Sequence, residues 1–254
     1  MLIRLDESGS ALKRKLGAVV RLTKTELACL DAMQAKVRCV RAGAEIVRDG
    51  EPYAHAYIVK RGWAIRFKSL SDGRRQIVNF ALPGDVIGLF SALFEVADHS
   101  VAALTDLEVH PVEPTRLVTM FGTCPRLGAA VAWAAGREES ILAEQVVRIG
   151  RRSAYERMAH IIIELLHRLR LVGVADHRSF ELPLTQEILA DTLGLSVVHV
   201  NRTLRRLRDD GLLRMKGDRV AIDDLDRLAR IAEFSPHYLS ARPFPRGTEA
   251  ALAG

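Results

Sequence analysis

The spacing of hydrophobic residues changes twice along this chain of 254 residues. Residues 23–35 have a helical period, with Thr23 placed to cap the first turn. From residue 37 to residue 112, short apolar runs alternate with turn signals, a pattern typical of a β sandwich or barrel. Beyond Pro114 the period is helical again. The pattern predicts an α+β protein in which a β-rich part precedes the main helices.

Turn-forming residues divide the β-rich part into short strands. The predicted turns are Asp49-Gly50, Arg61-Gly62, Ser71-Asp72-Gly73 and Pro83-Gly84-Asp85. The apolar runs beside them predict strands at 57–59, 63–67, 76–80, 101–104 and 107–110. This succession of strands and turns agrees with a β sandwich or barrel.

Two long helices are predicted at 126–149 and 152–171. The first follows Pro125 and carries a stripe at three- and four-residue spacing, made of Leu127, Val131, Ala134, Ile141 and Gln145. Such a stripe is either core packing or a dimer seam, and periodicity alone does not separate the two. A further helix is predicted near 224–233, and a loosely ordered tail with three prolines from 235 to 254.

Residues 185–204 fit a helix-turn-helix. Two helices that cross steeply need a small residue where they touch, and Ala190 provides it. Gly194 tolerates the positive φ of the turn, and Ser196 is placed to cap the second helix. The hydrophobic wedge between the helices consists of Leu189, Leu193, Leu195, Val200 and Leu204.

The second helix, predicted over 197–209, would present its N-terminal residues to base edges in the major groove of DNA. Arg202 can donate two hydrogen bonds to guanine O6 and N7. A two-stranded wing is predicted over 212–222, with Lys216 and Arg219 near its tip as phosphate contacts. The predicted DNA-binding residues are Thr185, Ser196, Val197, Val198, His199, Asn201, Arg202, Arg205, Arg206 and Lys216.

Composition agrees with this prediction without deciding it. The net charge of +6 suits a nucleic-acid partner, and 48% hydrophobic with 27% charged residues is typical of a globular domain. The sequence contains neither an apolar run of membrane-spanning length nor the apolar core of a signal peptide, so we expect a cytoplasmic protein with no membrane partner. Three scattered cysteines, Cys29, Cys39 and Cys124, predict neither a disulfide framework nor a metal site.

The order of parts, β-roll, long helix and winged helix-turn-helix, resembles the Crp/Fnr family of transcription regulators over roughly residues 20–232. The residues that carry the resemblance are Leu184-Thr185-Gln186-Glu187, Leu193-Gly194-Leu195-Ser196, Asn201-Arg202-Thr203-Leu204, Tyr57-Ile58-Val59, Gly62, Asp72-Gly73-Arg74 and the run from Pro83 to Gly88.

This resemblance implies a division into a cyclic-nucleotide-binding-like sensor domain at 1–121, a dimerisation helix at 122–150, a winged helix-turn-helix domain at 151–234 and the tail at 235–254. It also implies a homodimer on a palindromic site in double-stranded DNA, with RNA polymerase as a further partner. The family commonly has a Glu four residues before the recognition Arg, where this chain has Val198. The operator should therefore differ from the usual family half-site.

The sensor half departs further from the family pattern. Cyclic-AMP binders have a Glu after the Gly of their phosphate loop and a later Arg-Ser pair, whereas here Leu89 follows Gly88 and His99 precedes Ser100. Leucine cannot bond a ribose hydroxyl, and a neutral histidine replaces a guanidinium fork poorly. We therefore predict that the effector is not cyclic AMP. The clustered cysteines of the iron–sulfur branch are not found in this sequence either.

No cofactor, metal site or catalytic residue is predicted. The effector pocket candidates are Gly88, Leu89, His99 and Ser100, and both the identity and the existence of a small-molecule effector stay open. The alternative is an effector-binding or metal-dependent β-roll enzyme with an accessory helical domain. Metal-binding cupins of similar geometry use a His-x-His pair, whereas His55, His99 and His110 are isolated. A haem-sensing member of the family is a further alternative.

Overall fold

The computed structural model describes residues 2–3, 9–89 and 93–252. These form two compact units, each built from separate stretches of the chain. The described parts of 2–64, 81–138 and 241–252 make the first unit, and 65–80 with 139–240 make the second. None of the helices in the described ranges is long and apolar enough to span a membrane.

The main parts follow the order that the hydrophobic pattern predicts, with the β-rich part before the long helices. The strands are β1 (Leu2–Ile3), β2 (Leu22–Thr23), β3 (Arg38–Val40), β4 (Glu45–Val47), β5 (Ala56–Arg61), β6 (Ala64–Ser69), β7 (Arg75–Ala81), β8 (Val86–Ile87), β9 (Ser100–Ala103), β10 (Leu107–Val112), β11 (Ser179–Glu181), β12 (Leu213–Lys216) and β13 (Arg219–Ile222). The helices are α1 (Ala11–Gly17), α2 (Lys24–Met33), α3 (Pro114–Thr123), α4 (Pro125–Arg151), α5 (Ala154–Leu171), α6 (Gln186–Leu193), α7 (Val197–Asp209), α8 (Leu225–Ile231) and α9 (Arg246–Ala251). A 3-10 helix at Pro236–Leu239 precedes α9.

The first unit contains most strands of the predicted β-roll. One sheet has the strand order β3-β10-β5-β8, with Val109 opposite Val59. Separately, β4 pairs with β9. Gly62 makes the turn after β5 at a φ of 88°, and a Cβ there would lie 2.3 Å from the Asp106 carbonyl oxygen. Only glycine therefore fits this turn, which is one of those the sequence predicts.

Helices α1 to α3 and the start of α4 share a second hydrophobic cluster in the first unit. Glu26 on α2 is buried there, and its carboxylate accepts from the backbone N–H of Thr23 at 2.9 Å and of Arg126 at 2.7 Å. One side chain thus completes the capping box of α2 and satisfies the first turn of α4. The helix predicted at 23–35, with Thr23 as its cap, is confirmed.

The tail differs from the loose segment that its prolines suggest. Phe244 donates its backbone N–H to the Val19 carbonyl at 3.0 Å. Glu249 on α9 forms an ion pair with Arg126 at 2.7 Å. The residues that hold this segment are distant from it in sequence. The composition of the tail alone therefore did not indicate these contacts.

The second unit joins the β6–β7 hairpin to the C-terminal helices. A hydrogen bond from the Leu70 N–H to the Arg74 carbonyl closes the hairpin at 2.7 Å. The wing predicted with two strands has three, in the order β11-β13-β12, because Phe180 pairs opposite Val220. The alternation of Phe180 and Leu182 with polar neighbours was the sequence signal for β11.

The predicted stripe on α4 is core packing. Leu127, Val131, Ala134, Ile141 and Gln145 are all buried within this one chain. The structure therefore decides between the two alternatives that periodicity left open, and any dimer contact must use a different face of α4.

Candidate nucleic-acid interface

The turn between α6 and α7 has the geometry of a helix-turn-helix. The Thr185 hydroxyl caps α6 by accepting from the Ile188 N–H at 3.2 Å. Gly194 ends the helix with a φ of 64°, in the left-handed region that glycine favours. Leu195 then donates its N–H back to the Ala190 carbonyl at 3.1 Å, so the turn is closed at the small residue.

Helix α7 has one buried and one solvent-facing side. The Ser196 hydroxyl caps it by accepting from the His199 N–H at 3.2 Å. The buried side consists of Val200, Thr203, Leu204 and Leu207. The exposed side consists of Val197, Val198, Asn201, Arg202, Arg205, Arg206 and Arg208, with His199 half-buried. The buried side of such a helix packs in the domain, and the exposed side of its N-terminal half is accessible to a groove of DNA.

Arg202 and Asn201 lie in the middle of this exposed side. Within the part of the chain that the structure describes, neither side chain has a hydrogen-bond or ion-pair partner. Val198, one turn before Arg202, is 75% exposed. A guanidinium fork and an amide without internal partners are the groups that read guanine and adenine edges.

Arg206 differs from its neighbours because the chain itself holds it. Its guanidinium lies 4.5 Å from the ring centroid of Tyr155 on α5 and 3.8 Å from the Asp210 carboxylate. The Tyr155 hydroxyl donates to Asp210 at 2.5 Å, and burial together with that carboxylate raises the pKa of Tyr155 to about 12. Arg206 therefore packs α7 against α5. Arg205 forms only an exposed pair with Asp209 at 3.6 Å.

The wing presents one free cation near its tip, counted among the described residues. Lys216 is exposed and has no side-chain partner there. Arg219, which the sequence also assigns to phosphate, is held by the Asp176 carboxylate and by the Ser179 hydroxyl at 2.8 Å. Of the two predicted wing contacts, the structure leaves Lys216 available and engages Arg219 within the domain.

The effector pocket candidates belong to two stretches of the chain, 88–89 and 99–100. Gly88 follows β8 at a φ of 66°, and Leu89 packs against the helical hydrophobic cluster. His99 lies 2.6 Å from the Asp98 carboxylate, and the buried Ser100 hydroxyl accepts from the Asp49 N–H at 3.1 Å. Residues 90–92 between the two stretches lie outside the described residues. The polar groups of His99 and Ser100 already have protein partners.

Sequence reasoning missed the side chains that hold the end of α6. Gln76 on β7 and Gln145 on α4 both contact the Thr192 carbonyl. Gln145 is counted in the apolar stripe by its spacing alone. Its partner is 47 residues away, and no local pattern signals that contact.

Two family models match the chain. Residues 156–231 match the Crp-like helix-turn-helix domain, and residues 37–122 match the cyclic nucleotide-binding domain. The two matches confirm the predicted α+β architecture of a cyclic-nucleotide-binding-like roll followed by helices and a helix-turn-helix. They leave the sensor's ligand unassigned.

Curated relatives and a solved structure cover most of the chain. The transcriptional activator protein FnrL of Cereibacter sphaeroides is 28% identical over 228 residues, which is 88% of this chain and 91% of the relative. The transcriptional activatory protein AadR of Rhodopseudomonas palustris is 32% identical over 178 residues, 69% of this chain and 72% of the relative. The structure of FixK2 from Bradyrhizobium japonicum superposes with a TM-score of 0.71 at 28% identity, covering 79% of this chain and 98% of that one.

These findings agree with the helix-turn-helix geometry and decide between the classes considered. Relatives of this kind are transcription regulators and not enzymes, so the enzyme alternative is set aside. Their similarity extends over both the roll and the DNA-binding part. The chain belongs to the Crp/Fnr family of DNA-binding transcription regulators.

Proposed function

We propose that the chain regulates transcription as a homodimer that reads a palindromic duplex site with its two α7 helices. The observation that carries this proposal is the exposed N-terminal half of α7, where Arg202 and Asn201 have no internal partner. A symmetric dimer presents two such helices, and a palindrome offers each one the same half-site.

Base readout is assigned to the first two turns of α7. Arg202 pairs with guanine, and Asn201 pairs with adenine or a phosphate. Val197 and Val198 offer only apolar contact, for which a thymine methyl is the fitting partner. His199 is half-buried and lies at the edge of this surface.

Phosphate contacts surround the reading surface. Thr185 and Ser196 use their oxygens as cap acceptors, so their O–H groups remain to donate to phosphate oxygens. Arg205 on α7 and Lys216 on the wing add positive charge, and Arg206 adds it from its place over Tyr155. Contacts of this kind give salt-dependent affinity without sequence choice.

A second stripe on α4 supports dimerisation. Its exposed positions follow a 4-3-4-3-4 spacing and are Ala132, Gly136, Glu139, Ala143, Val146 and Gly150. That spacing is a heptad seam, and its small residues let two helices approach closely. At 1.5 Å per residue the stripe is about 27 Å long. The buried stripe on the other side of α4 fixes the helix in the chain, which leaves this face for a second copy.

The sensor half supports an effector other than cyclic AMP, or none. Leu89 is packed among apolar side chains where a ribose-binding carboxylate would be needed. His99 and Ser100 are engaged with Asp98 and Asp49 instead of offering a guanidinium to a cyclic phosphate.

RNA polymerase as a partner and a location in the cytoplasm follow from the proposed role as a transcription regulator. Relatives named as activators support activation of transcription.

The domain limits proposed for this function are a sensor domain at 1–121, a dimerisation helix at 122–150 and a DNA-binding domain at 151–234. The span of α4, Pro125–Arg151, supports the limits of the dimerisation helix.

Selection of bound duplexes from a random library tests the proposal. We expect the chain to enrich a palindrome with half-sites about one helical turn apart. Arg202→Ala should weaken binding to the selected duplex by about 1–3 kcal/mol and relax the choice of base at one position in each half-site. Arg208→Ala, an exposed arginine on the same helix, is the matched control and should leave the base preference unchanged. Enrichment of no palindrome, or an Arg202 variant that binds the selected duplex as tightly as the parent, would contradict it.

A further inference from the structure

We propose that Gln76 and Gln145 are positioning residues for DNA recognition, because they dock the C-terminal end of α6 onto strand β7. This inference rests on the proposed reading of DNA by α7. Neither glutamine lies on the exposed side of the helix-turn-helix. Their effect on DNA acts through the turn that joins α6 to α7.

Both side-chain amides bridge the same two backbone carbonyls. The Gln145 Nε2 donates to the Thr192 carbonyl at 2.7 Å and to the Ile77 carbonyl at 3.4 Å. The Gln76 Nε2 donates to the Thr192 carbonyl at 3.1 Å and to the Ile77 carbonyl at 2.9 Å. All four residues belong to the second unit.

The chemistry of this bridge requires an amide. Two carbonyl oxygens only accept, so the Ile77 and Thr192 carbonyls cannot bond each other. Each NH₂ group has two donor hydrogens, so two amides can fill the two lone pairs of each carbonyl. Thr192 lies in the last turn of α6, where carbonyls have no partner within the helix. The two glutamines therefore turn an unsatisfied helix end into an attachment point.

The orientation of Gln145 is fixed from its other end. Its side chain is buried, and its Oε1 accepts from the Arg148 guanidinium. Arg148 is in turn paired with the buried Glu164 carboxylate. With Oε1 held by a cation, the Nε2 must face the carbonyls of Ile77 and Thr192.

The neighbours of Thr192 are held as well. Arg75 beside Gln76 pairs with the Asp191 carboxylate at 2.6 Å. Arg157 on α5 donates to the Leu193 carbonyl at 2.9 Å. Three consecutive residues are thus tied down immediately before the Gly194 turn. Because α7 begins three residues after that turn starts, a shift at this point is carried directly to the reading residues.

The double variant Gln76→Met/Gln145→Met removes the four donors and keeps the approximate side-chain volume. Binding should be measured with the full-length protein, on the duplex enriched by selection and on a scrambled duplex of equal length. Base contacts on the selected duplex require α7 at the correct angle. Electrostatic attraction to phosphates, which holds the scrambled duplex, does not. We expect the affinity for the selected duplex to fall about tenfold, since each lost hydrogen bond contributes modestly. The affinity for the scrambled duplex should stay unchanged.

Asp224→Ala is the control. It deletes the cap hydrogen bond that the Asp224 carboxylate accepts from the Arg227 N–H at 2.9 Å at the start of α8, in the same unit. It should lower the melting temperature and leave the ratio of the two affinities at its parent value. A merely structural role for the glutamines would give the same result as this control. If the double variant does not fold, Gln76→Met alone replaces it, because Gln76 is only half-buried. Its affinity for the selected duplex should fall about threefold.

The outcomes separate the two claims. If the parent enriches no duplex, the proposed function fails. If the parent enriches one and the variants keep the parent's ratio of affinities, the positioning role is overturned. A lowered ratio of affinities in the double variant Gln76→Met/Gln145→Met, with the control unchanged, supports it.

Discussion

Val198 is an exposed apolar side chain on α7, the proposed recognition helix. It is 75% exposed and lies one turn before Arg202. A valine here adds nothing to the fold of α7, whose buried side is complete without it. In the proposed complex with DNA, Val198 would offer the bases a methyl surface and no hydrogen-bond acceptor.

Val198→Glu should therefore change base choice without changing the fold. A carboxylate at this position accepts from the N4 amino group of cytosine, with discrimination of about 1–3 kcal/mol. Repeated selection with the variant should enrich cytosine at one position of each half-site. Val174→Glu adds the same charge at an exposed valine outside the helix-turn-helix and should select the parent's site. An unchanged half-site from the Val198 variant would place this residue away from the bases.

Residues whose role depends on their immediate neighbours could be predicted from the sequence. Gly194 and Ser196 have the turn and cap roles that their side-chain chemistry predicts. Gln145 could not be assigned in this way. Its amide partners are 68 and 47 residues distant, and its spacing on α4 placed it among apolar residues. Periodicity reports that a side chain is buried but does not report which polar group it meets.

Helix α5 has a fully buried histidine in the core of the second unit. The Nδ1 of His160 accepts from the Arg148 guanidinium at 3.0 Å, so this nitrogen carries no proton. Burial, and then the charges of Arg148 and Arg152, lower the pKa of His160 to about 2. The folded helix therefore favours a neutral imidazole at this site.

This histidine makes the stability of the second unit depend on pH. The unfolded chain protonates His160 below its ordinary pKa of 6.5, while the folded protein does not until about 2. The contribution of the neutral ring is fully present above pH 6.5 and is lost as the pH falls below it. The free energy of unfolding should drop by about 2 kcal/mol between pH 6.5 and pH 5 through this group.

Urea denaturation at a series of pH values measures how the free energy of unfolding changes with pH. His160→Gln should lower stability at pH 7 and flatten its decline below pH 6.5 relative to the parent. His177→Gln, at an exposed histidine, should leave the decline as it is. A His160 variant whose stability falls as steeply as the parent's would show that other groups cause the decline.

At the scale of the whole molecule, the proposed homodimer depends on the exposed face of α4. Val146 is 66% exposed and is the largest apolar side chain of the heptad stripe. Val146→Glu would set two carboxylates against each other across a symmetric seam. We expect the dimer to dissociate at micromolar concentration and the affinity for a palindrome to fall with it.

Sedimentation velocity over a range of protein concentrations measures the dissociation of the dimer directly. Val174→Glu is again the matched control and should sediment like the parent. A Val146 variant that stays dimeric would exclude α4 as the seam. The heptad spacing itself was present in the sequence, but the buried stripe on the opposite face masked it, because only the folded chain distinguishes the covered side of the helix from the open one.

The hairpin at 65–80 has a consequence for how the protein is made. It lies in the amino-terminal half of the chain, yet Arg75, Gln76 and Ile77 each form a hydrogen bond with a residue beyond 138. During synthesis these strands leave the ribosome more than a hundred residues before Thr192 does. The DNA-reading unit can therefore close only after α6 has emerged, and a fragment cut at 151–234 would be released with the Thr192 carbonyl unsatisfied. Formation of the DNA-reading end is in this way tied to synthesis of the chain through α6.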